Sequence, residues 1–82
     1  MIYTLVCFNG AEIPIDVKDR FNLEQLQGLV GGLIEFAYVG KKVLCINEEG
    51  LLINLPMNRK YPNLAGNVIE GRDSSSSDFI GI

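Results

Sequence analysis

The 82-residue sequence has no histidine, only two cysteines and three prolines, and fewer cations than anions. Without an imidazole there is no base of the usual kind to activate a serine or cysteine, and no Cys/His set to hold zinc. Cys7 and Cys45 each lie inside an apolar run and read as buried free thiols in a reducing compartment. Seven basic residues against ten acidic ones give a formal net charge of −3, which argues against non-specific nucleic-acid binding and against a membrane-surface role driven by basic residues. Residues Met1 to Phe8 carry no basic head and contain Thr4, so they read as neither a signal peptide nor a spanning helix. The chain is expected to be cytoplasmic, without membrane partner, metal or cofactor. Its length allows one small domain over residues 1–82, and 48% hydrophobic with 21% charged residues is ordinary globular usage.

What is present predicts an α+β fold in which two β-hairpins flank one short helix. Ile2 to Phe8 is β-branched and aromatic and runs into Asn9-Gly10, a strong hairpin signal. A two-residue loop would set Phe8 opposite Ala11, Val6 opposite Ile13, Thr4 opposite Ile15 and Ile2 opposite Val17, leaving Tyr3, Leu5 and Cys7 on the outer face. Pro14 marks the second strand as an edge. Asn22 then reads as a helix N-cap with Gln25 closing a capping box and Phe21 stapling onto Leu26. Leu23, Leu26 and Val30 should cover the sheet, and Gly31-Gly32 should stop the helix after about nine residues. These glycines follow a helix, whereas phosphate-binding glycines precede one, so a stop signal is the better reading.

Leu33 to Val39 and Lys42 to Asn47 form a second predicted hairpin around Gly40-Lys41, setting Ile34, Phe36 and Tyr38 opposite Asn47, Cys45 and Val43. Both of its faces are largely apolar, so one helix does not suffice as cover; the C-terminal third or another copy of the chain must supply the rest. Leu51 to Leu55 reads as a short strand or helical turn ended by Pro56. Residues 66–70 offer one more short strand, Gly71 to Asp78 a mobile loop, and Phe79 to Ile82 a last edge strand.

Few residues invite chemistry. Glu48 and Glu49 are adjacent and read as a solvated turn, and Ser74 to Ser77 reads as a linker. The best candidate site is Asn58, Arg59, Lys60 and Tyr61 with Arg72 returning nearby, which would combine charge-assisted anion contacts with a stacking ring. The competing reading has Arg59 simply pairing with Glu48 or Glu49 and tying down the loop.

Leu26-Gln27-Gly28-Leu29-Val30-Gly31-Gly32-Leu33-Ile34-Glu35, then Asn47-Glu48-Glu49-Gly50 and Leu55-Pro56-Met57-Asn58-Arg59, then a glycine and isoleucine leading to Phe79, form an ordering that resembles the domain of unknown function 3846. The resemblance covers about residues 20 to 80. It implies a short accessory protein of phages, plasmids and other mobile elements acting in a host bacterial cell, and it implies no activity. Together these readings predict a non-enzymatic, homo-oligomeric binder that sequesters a small nucleotide-derived immune signal as counter-defence. The alternative is a protein-binding inhibitor of a host defence or replication enzyme. An enzyme is not expected.

Overall fold

The computed structural model describes residues 2–16, 21–40 and 42–71. The elements are β1 (Ile2–Val6), β2 (Glu12–Asp16), α1 (Leu23–Val30), β3 (Ile34–Val39), β4 (Lys42–Asn47) and β5 (Val68–Glu70). They build one antiparallel sheet in the order β2-β1-β5-β4-β3, with α1 on one face. The class is α+β as expected. The three-residue β5 is the keystone, because it joins the two hairpins at the centre of the sheet.

The second hairpin has the register that its two-residue loop dictates: Ile34, Phe36 and Tyr38 pair with Asn47, Cys45 and Val43. The first hairpin does not. Tyr3 pairs with Ile15, Leu5 with Ile13 and Val6 with Glu12, one residue away from the expected register. The cause lies in the turn. A two-residue loop of the favoured type needs positive φ at both central positions, but only Gly10 adopts it, at φ 95°. The chain uses the longer loop Phe8-Asn9-Gly10, closed by Cys7 N–H donating to the Ala11 carbonyl (2.8 Å), Gly10 N–H to the Cys7 carbonyl (2.9 Å) and Ala11 N–H to Asn9 Oδ1 (3.0 Å).

One added loop residue exchanges the faces. Tyr3 and Leu5 are buried under α1 with Phe21, Leu26, Val30, Val43, Cys45 and Ile69, while Val6 faces the other way with Leu44 and Val68. Tyr3, Leu5 and Cys7 are therefore the helix-facing set and not the outer one. Pro14 stays an edge marker in the observed register: it pairs with Thr4, and alternation from the Cys7–Ala11 pair turns its missing N–H away from β1.

The helix ends follow the sequence. Asn22 Oδ1 accepts from Gln25 N–H (2.8 Å), Gln25 Oε1 accepts from Asn22 N–H (2.9 Å), and Gly31 caps the far end at φ 83°. Phe21 packs on Tyr3 with ring centroids 4.8 Å apart. Leu23, expected to cover the sheet, is the first residue of the helix and is 48% exposed; Leu26 and Val30 provide the helix's buried residues. Gly28 sits mid-helix, where an added Cβ would meet nothing within 4 Å. Gly28→Ala should therefore raise stability by about 0.5–1 kcal/mol, seen as a higher urea midpoint with unchanged slope.

The second face is covered from within the chain. Tyr61 and Leu64, from the segment after Pro56, pack with Ala37 and Ile46 on Val6, Leu44 and Val68. Of the two covers the sequence left open, the C-terminal third lies over this face. The expected loop at about 71–78, apart from Gly71, and the last strand at 79–82 lie outside the described residues.

Candidate functional site

Residues 57–65 form a compact arm across that second face. Met57 bridges Ala65, Asn58 N–H donates to the Leu64 carbonyl (2.8 Å), and Leu64 N–H donates to the Tyr61 carbonyl (2.8 Å). Asn58 anchors it. Its side chain is 1% exposed; Nδ2 donates to the carbonyls of Val6 and Gly66 (both 3.0 Å), and Oδ1 accepts from the N–H groups of Lys60 (2.9 Å) and Tyr61 (3.1 Å). That uses both donors and both acceptor lone pairs of the amide, so its polar capacity is committed inside the fold.

The other expected site residues diverge from this anchor. Arg59 is exposed; its N–H donates to the Phe8 carbonyl (3.0 Å), its side chain lies over Gly10, and Nη1 reaches the Asn9 carbonyl at 3.5 Å. It pairs with neither Glu48 nor Glu49, and among the described residues it is in no ion pair. Lys60 turns the other way, with Nζ 2.9 Å from Glu70 Oε2 and 3.1 Å from Glu12 Oε1. The Tyr61 hydroxyl donates to Glu70 Oε2, and Lys42 Nζ stands 3.8 Å from the same oxygen. Arg72 lies outside the described residues. Thus Asn58 to Tyr61 share one arm, but they do not converge on one open pocket. Tyr61 and Lys60 do line a cleft of about 290 Å³ with Val39, Pro62, Asn63 and Leu64.

Glu70, unremarked in the sequence because it ends a three-residue strand, is the hub of this network. Burial raises its pKa, but the Tyr61 hydroxyl, the Lys60 ammonium and Lys42 outweigh that and hold the carboxyl below its ordinary range. Burial, and then the bond to Glu70, push Tyr61 up to about 12. For a lowered carboxyl, the stability is fully present above the unfolded pKa and is lost as pH falls through the folded one. Acid should therefore loosen the arm below the ordinary glutamate pKa of about 4.3. Urea titrations at pH 6 and pH 3 should show a smaller loss for Glu70→Gln than for the wild type; equal losses would remove Glu70 as the source.

A second feature adjoins the arm. Leu51, Leu52 and Ile53 form a single helical turn whose side chains are 67%, 81% and 52% exposed. The turn is firmly held. Leu55 N–H donates to the Gly50 carbonyl (2.9 Å) and Asn54 N–H to the Leu51 carbonyl (3.3 Å), with Asn54 left-handed at φ 56°, which is the paired cap that ends many helices. At its start Asn47 is 5% exposed, donates to the Val30 carbonyl (3.1 Å) and accepts from Glu49 N–H (2.8 Å), tying the turn to the end of α1. Gly50 is buried against Ala65, where a Cβ would come within 3.2 Å of both the Ala65 Cβ and its carbonyl oxygen. Between this turn and the arm lies a cleft of about 280 Å³ lined by Glu35, Ile46, Glu48, Leu51, Leu52 and Leu64. The sequence signal for it was an apolar triplet with no alternation between an acidic turn and an asparagine.

Cys7 and Cys45 are both free and packed in or against the helix-side core, where burial pushes the Cys45 thiol up to about 12. Among the described residues no cluster of three or more Cys, Asp or Glu could hold a metal, and no helix is long and apolar enough to cross a membrane.

These features define a small α+β domain in which a polar-anchored arm closes one sheet face and a rigid apolar turn stands beside it. The family model of the Domain of unknown function (DUF3846) matches residues 4–82, and the chain belongs to that family. The match takes in the first hairpin as well as the central motifs. No curated protein and no solved structure matches the chain.

Proposed function

We propose that the chain is a non-enzymatic accessory protein of a phage or other mobile element that works by binding another protein, such as a host defence or replication enzyme. The observation that carries this reading is the apolar turn Leu51 to Ile53, displayed to solvent on a backbone fixed by its cap bonds, by Asn47 and by Gly50. Exposed apolar side chains on a preorganised backbone bind with little ordering cost, and interfaces draw most of their energy from a few such anchors. Capture of a nucleotide-derived signal by a homo-oligomer is supported by one feature, the exposed Arg59 guanidinium, but Asn58 and Lys60 are spent on internal partners.

The test compares tagged wild type, Leu52→Ser and Arg59→Ala purified from bacterial cells. Under this reading a specific protein stays with the wild type and with Arg59→Ala and is lost from Leu52→Ser. Retention by Leu52→Ser contradicts it. Leu52 is so exposed that serine there should change stability by no more than about 0.5 kcal/mol.

A further inference from the structure

Resting on the protein-binding reading, we infer that the cleft between the apolar turn and the arm receives a basic amphipathic segment of the partner: an apolar side chain as anchor, with lysines or arginines on either side. The lining is largely apolar and carries two carboxylates. Leu51, Leu52, Ile46 and Leu64 line the cleft, and Glu35 and Glu48 stand in the same lining. Glu35 pairs with Ile46 across β3 and β4, so its side chain points to the sheet face that the arm covers. Glu49 adds a third carboxylate at the start of the turn and is exposed.

None of these carboxylates is in an ion pair among the described residues. The three cations among the described residues are turned elsewhere: Lys60 and Lys42 face Glu70, and Arg59 lies on the tip of the first hairpin. A neutral apolar partner would strip water from the glutamates without compensation, and an acidic one would meet like charge. A basic flank supplies the missing counter-charge while the anchor fills the cleft. The same sign of field disfavours nucleic acid at this surface. The cleft, of about 280 Å³, has room for an apolar side chain as anchor.

The experiment is a fluorescence-anisotropy titration of the full chain with a labelled helical peptide built of leucine and lysine, against a leucine and glutamate counterpart. Amide shifts in a ¹H–¹⁵N spectrum report where it binds. The lysine peptide should bind, weaken as salt rises, and shift Ile46, Leu51, Leu64 and Ala65. Affinity should fall about tenfold or more in Leu52→Ser and again in the Glu35→Gln/Glu48→Gln double variant. Leu52→Ser keeps every charge, so a diffuse attraction to an acidic protein would leave it unaffected. Equal affinity for all variants, shifts confined to other faces, or self-association of the chain through this cleft would overturn the inference. In the co-purification test, loss of the partner from Leu52→Ser but not from the double glutamine variant would keep the protein-binding reading and remove the basic segment. Retention by both would remove the reading itself.

Discussion

Replacing Asn58 by alanine should leave the protein largely unfolded at 37 °C. The substitution removes four hydrogen bonds at once: two from Nδ2 to the carbonyls of Val6 and Gly66, and two accepted by Oδ1 from the N–H groups of Lys60 and Tyr61. An unsatisfied buried group costs about 1–3 kcal/mol. Taken over the four bonds at about 0.5–1.5 kcal/mol net each, the loss should be about 2–6 kcal/mol. A domain of this size has net stability of roughly the same order. Urea denaturation followed by circular dichroism would measure it; a loss under about 1 kcal/mol would mean that the arm is not held as described.

The second large effect is expected at Gly66, which follows the arm and precedes β5. Its φ is 81°, its N–H donates to the Pro56 carbonyl (2.6 Å), and an added Cβ would lie 2.9 Å from Leu55 Cδ1. Gly66→Val places a β-branched residue in the left-handed region, which costs about 1–2 kcal/mol, and forces the Leu55 methyl to move. The total should be about 2–3 kcal/mol. Gly66→Asn should lose less, because asparagine tolerates this backbone conformation better. Equal losses for the two variants, measured by thermal melts, would assign the effect to packing against Leu55 and not to backbone conformation.

Both predictions concern the junction that the sequence did not announce. What the sequence does state clearly is local. Asn22 and Gln25 meet within one helical turn, and Gly40-Lys41 sets the register of the second hairpin through a loop with no spare residue. Asn9-Gly10 announces a turn but does not fix its length, because the same pair serves a longer loop in which Gly10 alone is left-handed. That single residue decides which face of β1 meets the helix.

The arm is harder to read. Asn58 stands among Arg, Lys, Tyr and Pro, a composition that points to a solvated loop or a binding site. Its burial depends on a carbonyl of β1, fifty-two positions away. Likewise β5, at three residues, is too short to announce itself as the centre of a sheet, and Glu70 acquires its role only when β5 places it beside Lys60 and Tyr61. Of the candidate site, the acidic turn and the apolar triplet were visible as a pattern. Their joint cleft was not, because its other wall, Leu64, comes from the arm.

The most direct measurement is native mass spectrometry of wild type, Leu52→Ser and Arg59→Ala, each freshly purified from bacterial cells. The protein-binding account predicts a complex with another protein in the wild type and in Arg59→Ala, absent from Leu52→Ser, and no nucleotide-sized mass on the chain. A homo-oligomer that carries such a mass and loses it in Arg59→Ala, with no protein partner in any spectrum, would contradict the account.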